Sequence, residues 1–590
     1  MSEDRDFDQH HHSHHHKKEN KGWIAIAVAV FIVAMLVIVG LFGLKNAKSI
    51  LAQANEMKSN LSTAIACIKE KDPDGAESAI EKADSVYKEM EKTLNVKFWT
   101  IASKMPFVGG DIKSVKELMS IYGNASDTII KPFITQMRNH PLSNLKVDGG
   151  FNISLVNSYL DFADSIRPQI DDINKRMQNI EFKVLPKEKI EGILGKFSGL
   201  MQTFDSFKKY APLIRAFCGS GENKSYLVLA QNSAEIRASG GFPGSVGTIT
   251  ITDGVLRVGD FSSISHHINI YYPDDFVMPE REIELFGNDY SYLARDADYN
   301  PNFERMASLI KLGYNYEVLD RVDGVVSFTP IVIERLLKYT GTSFTIDDGS
   351  QITGDNAMQI IQRELYYKQG TGVYTNDYVD SLFSEVAKKA MKQFVEGFDV
   401  KKVAEYVKFF EEGFADRSVM LWIDNPEAEE VVKQCGCSGN VNFDSTKPES
   451  GIFFSCWNAA RLGMHIDIQP TIVQESTNDK GQKEYNIEVK YYNAISAEEI
   501  GMGSYIAGGC GGSIPGYIYF FAPAGGTISD FNVSNGLGIS MSDYAGLQVG
   551  YSKDFWLNPG ETIVVSYKVT TAEGADSLRI VTTPTIRNAK

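Results

Sequence analysis

Twenty-two consecutive residues without a charge, Trp23–Leu44, constrain this chain more than any other feature. Rich in Ile, Val, Ala and Leu, at about 1.5 Å per residue they reach across a hydrocarbon core of roughly 30 Å. The run exceeds the about 7–15 apolar residues of a cleaved signal peptide and enters Lys45-Asn46-Ala47-Lys48 directly, so an uncleaved signal anchor is expected. Lys17, Lys18 and Lys21 precede it and Lys45 and Lys48 follow it, which leaves a weak charge bias. The expected orientation puts residues 1–22 in the cytoplasm and the 546 residues after the span outside. His10, His11, His12, His14, His15 and His16 in that tail would suit Ni²⁺ or Zn²⁺, or form a solvated tail or a tag.

The part beyond the span is too long for one domain of the usual 100–200 or so residues. With 23% charged and 11% aromatic residues the 590-residue chain is neither disordered nor an embedded transporter. Its formal charge of −16 argues against nucleic acid, which demands a concentrated Lys/Arg surface. Residues 45–215 read as a helical bundle or stalk, beginning with a hairpin of helices about Asp72-Pro73-Asp74-Gly75 and continuing near 111–136, 153–180 and 187–214. Residues 216–424 read as a mixed α/β domain. Strands are expected at 226–230, 246–252 and 255–258, the last two joined through Asp253-Gly254, and at 323–328 before a helix from Pro330 to Tyr339 that stops at Gly341. Long helical patterns follow at 355–368 and 376–412. Residues 425–590 carry short strands between Gly/Asn/Pro turns, the pattern of an immunoglobulin-like β-sandwich with no helix interrupting it. The fold class is therefore multidomain α+β with one N-terminal transmembrane helix.

Cys435, Cys437, Cys456 and Cys510 fall in or beside the β-rich part. One or two disulfides clasping the 430–460 region are expected outside the membrane, in any of three pairings. A Cys435/Cys437/Cys456 zinc site is the alternative, although Cys-x-Cys is not the usual ligand spacing. Familiar hydrolase, zincin, Walker A and dinucleotide signatures are missing, and beyond the tail only His140, His266, His267 and His465 remain.

The choice of cation is more informative. From Arg215 to Arg363 there are nine arginines and three lysines; the rest of the chain has eight arginines and thirty-nine lysines. A guanidinium suits bidentate binding of phosphate or carboxylate, and it equally suits internal ion pairs. Two strings stand out. In Gln231-Asn232-Ser233-Ala234-Glu235-Ile236-Arg237-Ala238-Ser239-Gly240-Gly241-Phe242-Pro243-Gly244-Ser245, Gly240 and Gly241 would let a ligand approach the backbone beside Arg237, or shape a tight crossover. In the segment Arg295–Arg305, Asp296 and Asp298 would hold Mg²⁺ while Arg295 and Arg305 bind an anion, or the acids cap a helix starting after Asn300-Pro301.

These strings carry a resemblance. Asn232–Arg237 with Gly240-Gly241-Phe242 and Gly244-Ser245, then Asn300-Pro301-Asn302-Phe303, Val322–Val326, Leu337 with Thr340-Gly341, and Ile352-Thr353 with Asn356 resemble the bacterial uncharacterised-domain family catalogued as 4012. Pro106 with Gly109-Gly110-Asp111 is similar to its membrane-proximal part, and the likeness covers roughly residues 90–420. The order of elements is more weakly similar to the LytR/CpsA/Psr cell-wall ligases, which move glycopolymers from polyprenyl-pyrophosphate carriers onto peptidoglycan. That likeness implies anion ligands at Arg237, Arg295, Arg305 and Arg363, with Mg²⁺ on Asp296 or Asp298. The late arginine cluster of those ligases is missing around Tyr366–Gly370, Asp377 and Asp380. The leading expectation is thus a single-pass bacterial envelope protein, a non-catalytic scaffold or adaptor for an envelope protein or glycan such as peptidoglycan. Binding or transfer of a polyprenyl-phosphate-linked glycopolymer is the alternative, and a small-molecule sensor or hydrolase the third.

Overall fold

The structure, a computed structural model, describes residues 47–94, 100–101, 103–104, 109–148, 150–181, 208–219, 221–264, 271–318, 321–399 and 402–585. The expected anchor Trp23–Leu44, the histidine tract with its lysines, Pro106, most of the helix predicted over 187–214, and His266-His267 lie outside them. Among the described residues no helix is long and apolar enough to cross a membrane. The chain divides into two compact units, Met1–Leu142 with Asp161–Asp205, and Ser143–Leu160 with Ser206–Lys590.

The described part of the first unit is helical. The predicted hairpin is α1 (Ala47–Lys69) and α2 (Pro73–Leu94). Pro73 takes the first helical position, where its missing N–H costs nothing, and the Asp72 carboxylate accepts from the Gly75 amide at 2.9 Å. Next, α3 (Gly109–Ala125) runs through a π-helical turn, Ser126–Ile130, into α4 (Lys131–Asn139). Asp84 on α2 is buried and fully engaged: it accepts from Tyr122 at 2.9 Å and Ser126 at 2.8 Å and pairs with Lys131 at 2.6 Å. Such satisfaction is what makes a carboxylate tolerable between helices.

The second unit is built on an eight-stranded sheet in the order β1 (Lys146–Val147), β2 (Gly150–Asn152), β5 (Val255–Val258), β4 (Phe242–Thr252), β3 (Lys224–Asn232), β7 (Gly324–Phe328) and β10 (Val419–Ile423), with β6 (Ser262–Ser263) beside β4. Asp253 and Gly254 both take positive φ, 51° and 73°, as the two-residue hairpin turn between β4 and β5 requires. β3 and β7 run parallel and every other pair in this sheet is antiparallel. After β7 the predicted helix, Pro330–Thr340, ends at Gly341 with φ 69°, and β8 (Phe344–Thr345) and β9 (Gln351–Ile352) then pair as a separate two-stranded sheet. Downstream lie helices Asn376–Gly397 and Val403–Ala415.

Near residue 425 the structure adds a strand that the sequence pattern leaves unassigned, and it overturns the expectation that no helix interrupts the β-rich part. Val419–Ile423 is a fully buried strand of the α/β sheet, antiparallel to β7. Pro426–Cys435 is a helix, capped by Asn425, whose side chain accepts from the Ala428 amide at 3.0 Å. The following strands form a five-stranded sheet, β16 (Ser540–Tyr544), β17 (Leu547–Leu557), β14 (Ile514–Phe521), β11 (Glu449–Cys456) and β19 (Arg579–Thr582), and a four-stranded one, β12 (Ile466–Thr477), β13 (Gln482–Asn493), β18 (Thr562–Glu573) and β15 (Thr527–Val533). A core including Phe454, Phe520, Phe555, Tyr491, Val565 and Tyr567 lies between them. A second core joins Leu227, Leu229 and Phe303 of the α/β part to Phe453, Tyr519, Phe521 and Val549 of the five-stranded sheet, so the two parts fold as one body.

The expected disulfide clasp is also absent: Cys435, Cys437, Cys456 and Cys510 are free thiols, as are Cys67 and Cys218. Cys435 donates to the Lys209 carbonyl at 3.2 Å, Cys456 donates to the Asn458 carbonyl at 3.6 Å, and Cys510 accepts from the Asn458 amide group at 3.4 Å. Buried thiols here act as small apolar side chains. Among the described residues no cluster of three His, Cys, Asp or Glu is placed to hold a metal, the Cys435/Cys437/Cys456 set included.

Candidate functional site

The parallel pair β3/β7 ends in a cavity of about 330 Å³. Ligands of open α/β sheets gather outside the carboxyl ends of strands, and this volume is at the low end of the roughly 300–1,000 Å³ typical of small-molecule pockets. Ala230, Gln231 and Asn232 close β3 against it, Phe328 closes β7, and Phe242, Gly244 and Ser245 open β4 on its other side. Pro330 and Ile333 begin the helix after β7, Asp380 and Phe383 come from helix Asn376–Gly397, and Arg461 and Tyr505 arrive from the β-rich part. The remaining wall is a distorted helix. Ala357–Gln359 widens into a π-helical turn, Ile360–Glu364, before Leu365–Gly370, and such turns recur at functional sites.

A polar chain crosses the cavity wall. Glu235 pairs with Arg461 at 2.7 Å, and the Arg461 guanidinium stacks 4.0 Å from the Tyr366 ring centre. Asn232 donates to Tyr366 Oη at 2.6 Å and to Glu235 at 3.2 Å. Burial pulls Arg461 down, but Glu235 and the Tyr366 phenol outweigh it and hold the guanidinium above its ordinary value. Burial raises the Tyr366 phenol, and it raises Asp380 against the opposing hydrogen bond from Ser263 at 3.3 Å. Two buried amides are short of partners: Gln362, on the π turn and 2% exposed, has neither amide atom hydrogen-bonded, and Gln231 donates to Ser239 at 3.2 Å while its Oε1 accepts nothing.

The four arginines expected to bind an anion do not converge on this cavity. Only Arg295 lines it, about a third exposed, with Asp296 at 4.0 Å. Arg305 grips Glu282 with Nε at 3.1 and 3.2 Å from the two carboxylate oxygens. Arg363, on the π turn, pairs with Glu499 at 3.0 Å. Arg237 is buried and points the other way: it donates to the Cys456 carbonyl, and at 3.3 Å to that of Ile236, and lies 4.7 Å over the Tyr299 ring. Asp298, fully buried, faces Arg237 Nε at 3.9 Å. Burial pushes the Asp298 carboxyl well above its usual range, with Arg237 only partly opposing. Asp296 and Asp298 thus meet arginines, not an open metal position.

The loop between β3 and β4 is a seam between the α/β and β-rich parts. Ala238 N donates to Ser455 Oγ at 2.9 Å, Cys456 N to Ile236 O at 3.0 Å, Gly463 N to Ala234 O at 2.8 Å, and Thr583 Oγ1 to Ala238 O at 3.3 Å. Its glycines serve that turn: a Cβ on Gly241 would sit 2.3 Å from the Asn232 carbonyl, and Gly240 has φ 129° with Gln231 Oε1 at 2.7 Å from the corresponding point. Asn300, at the head of helix Phe303–Val318, donates to Tyr290 and to Tyr544 across the same boundary, at 3.0 and 3.1 Å.

Residues 221–366 match the family described as Protein of unknown function (DUF4012). The chain carries a DUF4012 domain. No curated protein and no solved structure matches it. The DUF4012 segment supplies β3, the seam loop, β4, β7 and the π turn down to Tyr366, whereas Asp380, Arg461 and Tyr505 complete the cavity from beyond it. Arg461 escaped the sequence reading because its partner Glu235 lies across the seam, a proximity no local pattern encodes. Gln362 carries no motif; its signal is the missing hydrogen bonds.

Proposed function

We propose that this is a membrane-anchored extracytoplasmic envelope protein that acts by binding, as a non-catalytic scaffold or adaptor for a protein or glycan partner. Trp23–Leu44 would be its signal anchor and the helical unit its stalk, with a LytR/CpsA/Psr-like α/β domain and an immunoglobulin-like sandwich displayed outside. One observation carries the preference for a scaffold: three of the four cations a pyrophosphate would need already end on partners within the chain, Arg237 on the Cys456 carbonyl and the Tyr299 ring, Arg305 on Glu282 and the exposed Arg363 on Glu499. Guanidiniums so engaged would have to give up these partners before gripping a phosphate, and the cost is largest for the buried Arg237. The seam supports the same reading, because a continuous core and backbone hydrogen bonds make a stiff display platform.

Transfer of a phosphate-linked lipid or glycopolymer is the competing reading, and Arg295 at the cavity favours it. Both halves are testable. Protease added to intact cells should digest the C-terminal bulk and spare a tag at the N-terminus; a protected C-terminus overturns the topology. Calorimetry with a short polyprenyl pyrophosphate and Mg²⁺ should give no saturable heat. Saturable binding lost in Arg295→Ala would replace the scaffold with the transferase.

A further inference from the structure

We infer that the cavity at the carboxyl ends of β3 and β7 binds a neutral saccharide unit. The inference rests on the reading of the protein as a binding component and names the chemistry of its glycan partner. Charge comes first. The lining holds two carboxylates, Glu235 and Asp380, and two guanidiniums, Arg295 and Arg461. Glu235 already neutralises Arg461 at 2.7 Å, so the wall offers no net positive charge to a phosphate and no net negative charge to an amine.

Hydrogen-bonding capacity comes second. A buried amide with no partner is costly and rare, and each instance calls for an explanation. Gln362, 2% exposed and lining the cavity, presents a free acceptor and a free two-proton donor. Groups that both donate and accept without charge match such a set, and hydroxyl and acetamido groups do so on adjacent carbons of one sugar ring. Shape comes third. Phe242, Phe328 and Phe383 give apolar walls for the C–H faces of a pyranose, and Tyr505, 39% exposed, stands at the mouth.

The test uses the full chain in detergent. Thermal unfolding is followed with N-acetylglucosamine, glucose, glycine or inorganic phosphate added to millimolar levels. N-acetylglucosamine, or glucose, should raise the Tm saturably, and glycine and phosphate should not. Gln362→Leu removes the two unpartnered atoms at similar volume. It should raise the Tm of the unliganded protein and weaken the sugar at least about tenfold, since two hydrogen bonds of ordinary strength are lost. Tyr505→Ala, at an exposed position that leaves the fold intact, should weaken the sugar as well. No shift with either sugar overturns the inference. So does an undiminished sugar response in Gln362→Leu, or a response to phosphate or glycine instead. A failure here leaves the protease result untouched, so the two readings fall separately.

Discussion

Arg237→Met tests whether the arginine-rich segment builds a seam or serves a ligand. The substitution keeps most of the side chain's length and removes its charge. The donation to the Cys456 carbonyl is lost, a hydrogen bond from a charged group worth about 1.5–3 kcal/mol. The cation over Tyr299, 4.7 Å from the ring centre and desolvated, contributes about 2 kcal/mol more. The share from Asp298 is small, because burial has already driven that carboxyl toward its neutral form and neither oxygen is hydrogen-bonded. The expected cost is about 3–5 kcal/mol, and Asp298→Asn should cost under about 1 kcal/mol. Urea unfolding at neutral pH measures both. Amide exchange at Ala238, Cys456 and Gly463, whose N–H groups bridge the seam, localises the effect. Asp298 also fixes a sign: the native state holds its proton longer than the unfolded chain. Its contribution to stability is full below the ordinary carboxylate range and falls as pH rises through the raised value, and Asp298→Asn should flatten that slope. An Arg237→Met cost under about 1 kcal/mol, or an Asp298→Asn cost equal to it, refutes this account of the seam.

Glu429, buried behind β10, accepts from the Ile423 amide at 3.0 Å through one oxygen while the other has no partner, and burial pushes its carboxyl up to about 7. Its proton is retained in the native state, so stability falls as pH climbs from about 4.5 to about 7; Glu429→Gln should remove that slope and add about 2–3 kcal/mol at pH 8 in thermal or urea unfolding. Thiol titration of the unreduced, denatured protein should count all six cysteines, and fewer would restore a disulfide. In the native protein Cys218 and Cys456, pushed by burial to about 12, should react far more slowly than the partly exposed Cys67 and Cys510.

Local signals in the sequence were legible where the physics is local. Asp72-Pro73 starts a helix, Asp253-Gly254 turns a hairpin and Gly341 stops a helix because each residue's own backbone preference decides the outcome. β10 was missed for the opposite reason. Val419–Ile423 is five apolar residues without period, just after the helical pattern that ends near 412, and only the free edge of β7 makes it a strand. The helix Pro426–Cys435 carries a local start signal, Asn425-Pro426, that stands just ahead of β-rich sequence. Cysteine spacing suggested a clasp, but spacing says nothing of depth, and all four thiols ended in other contacts or in the core. Part of the cavity was visible as the string from Gln231 to Ser245; Asp380, Arg461 and Tyr505 joined it through tertiary packing alone.

Part of the reversal from lysine to arginine is explained by where those cations sit, although Arg257, Arg281, Arg321 and Arg363 are exposed. Arg237 simultaneously meets two carbonyls, a ring face and a carboxyl; Arg461, beyond the enriched stretch, is placed in the same way by Glu235, the Tyr366 ring face and, at 2.6 Å, the Ala459 carbonyl. A planar fork weakly hydrated on its faces satisfies such mixed surroundings at a buried boundary, while an ammonium, compact and strongly hydrated, would leave several of them unmet. Arg335, bound to Asp416 at 2.6 Å and Ser418 at 3.2 Å, follows the same rule inside the α/β part. Arginine enrichment over a stretch of an acidic chain therefore has two physical sources, an anion site and a folded boundary rich in carbonyls and aromatic rings. The discriminating observation is geometric: at an anion site the cations converge on open space, whereas here Arg237, Arg305 and Arg363 each end on a partner within the chain.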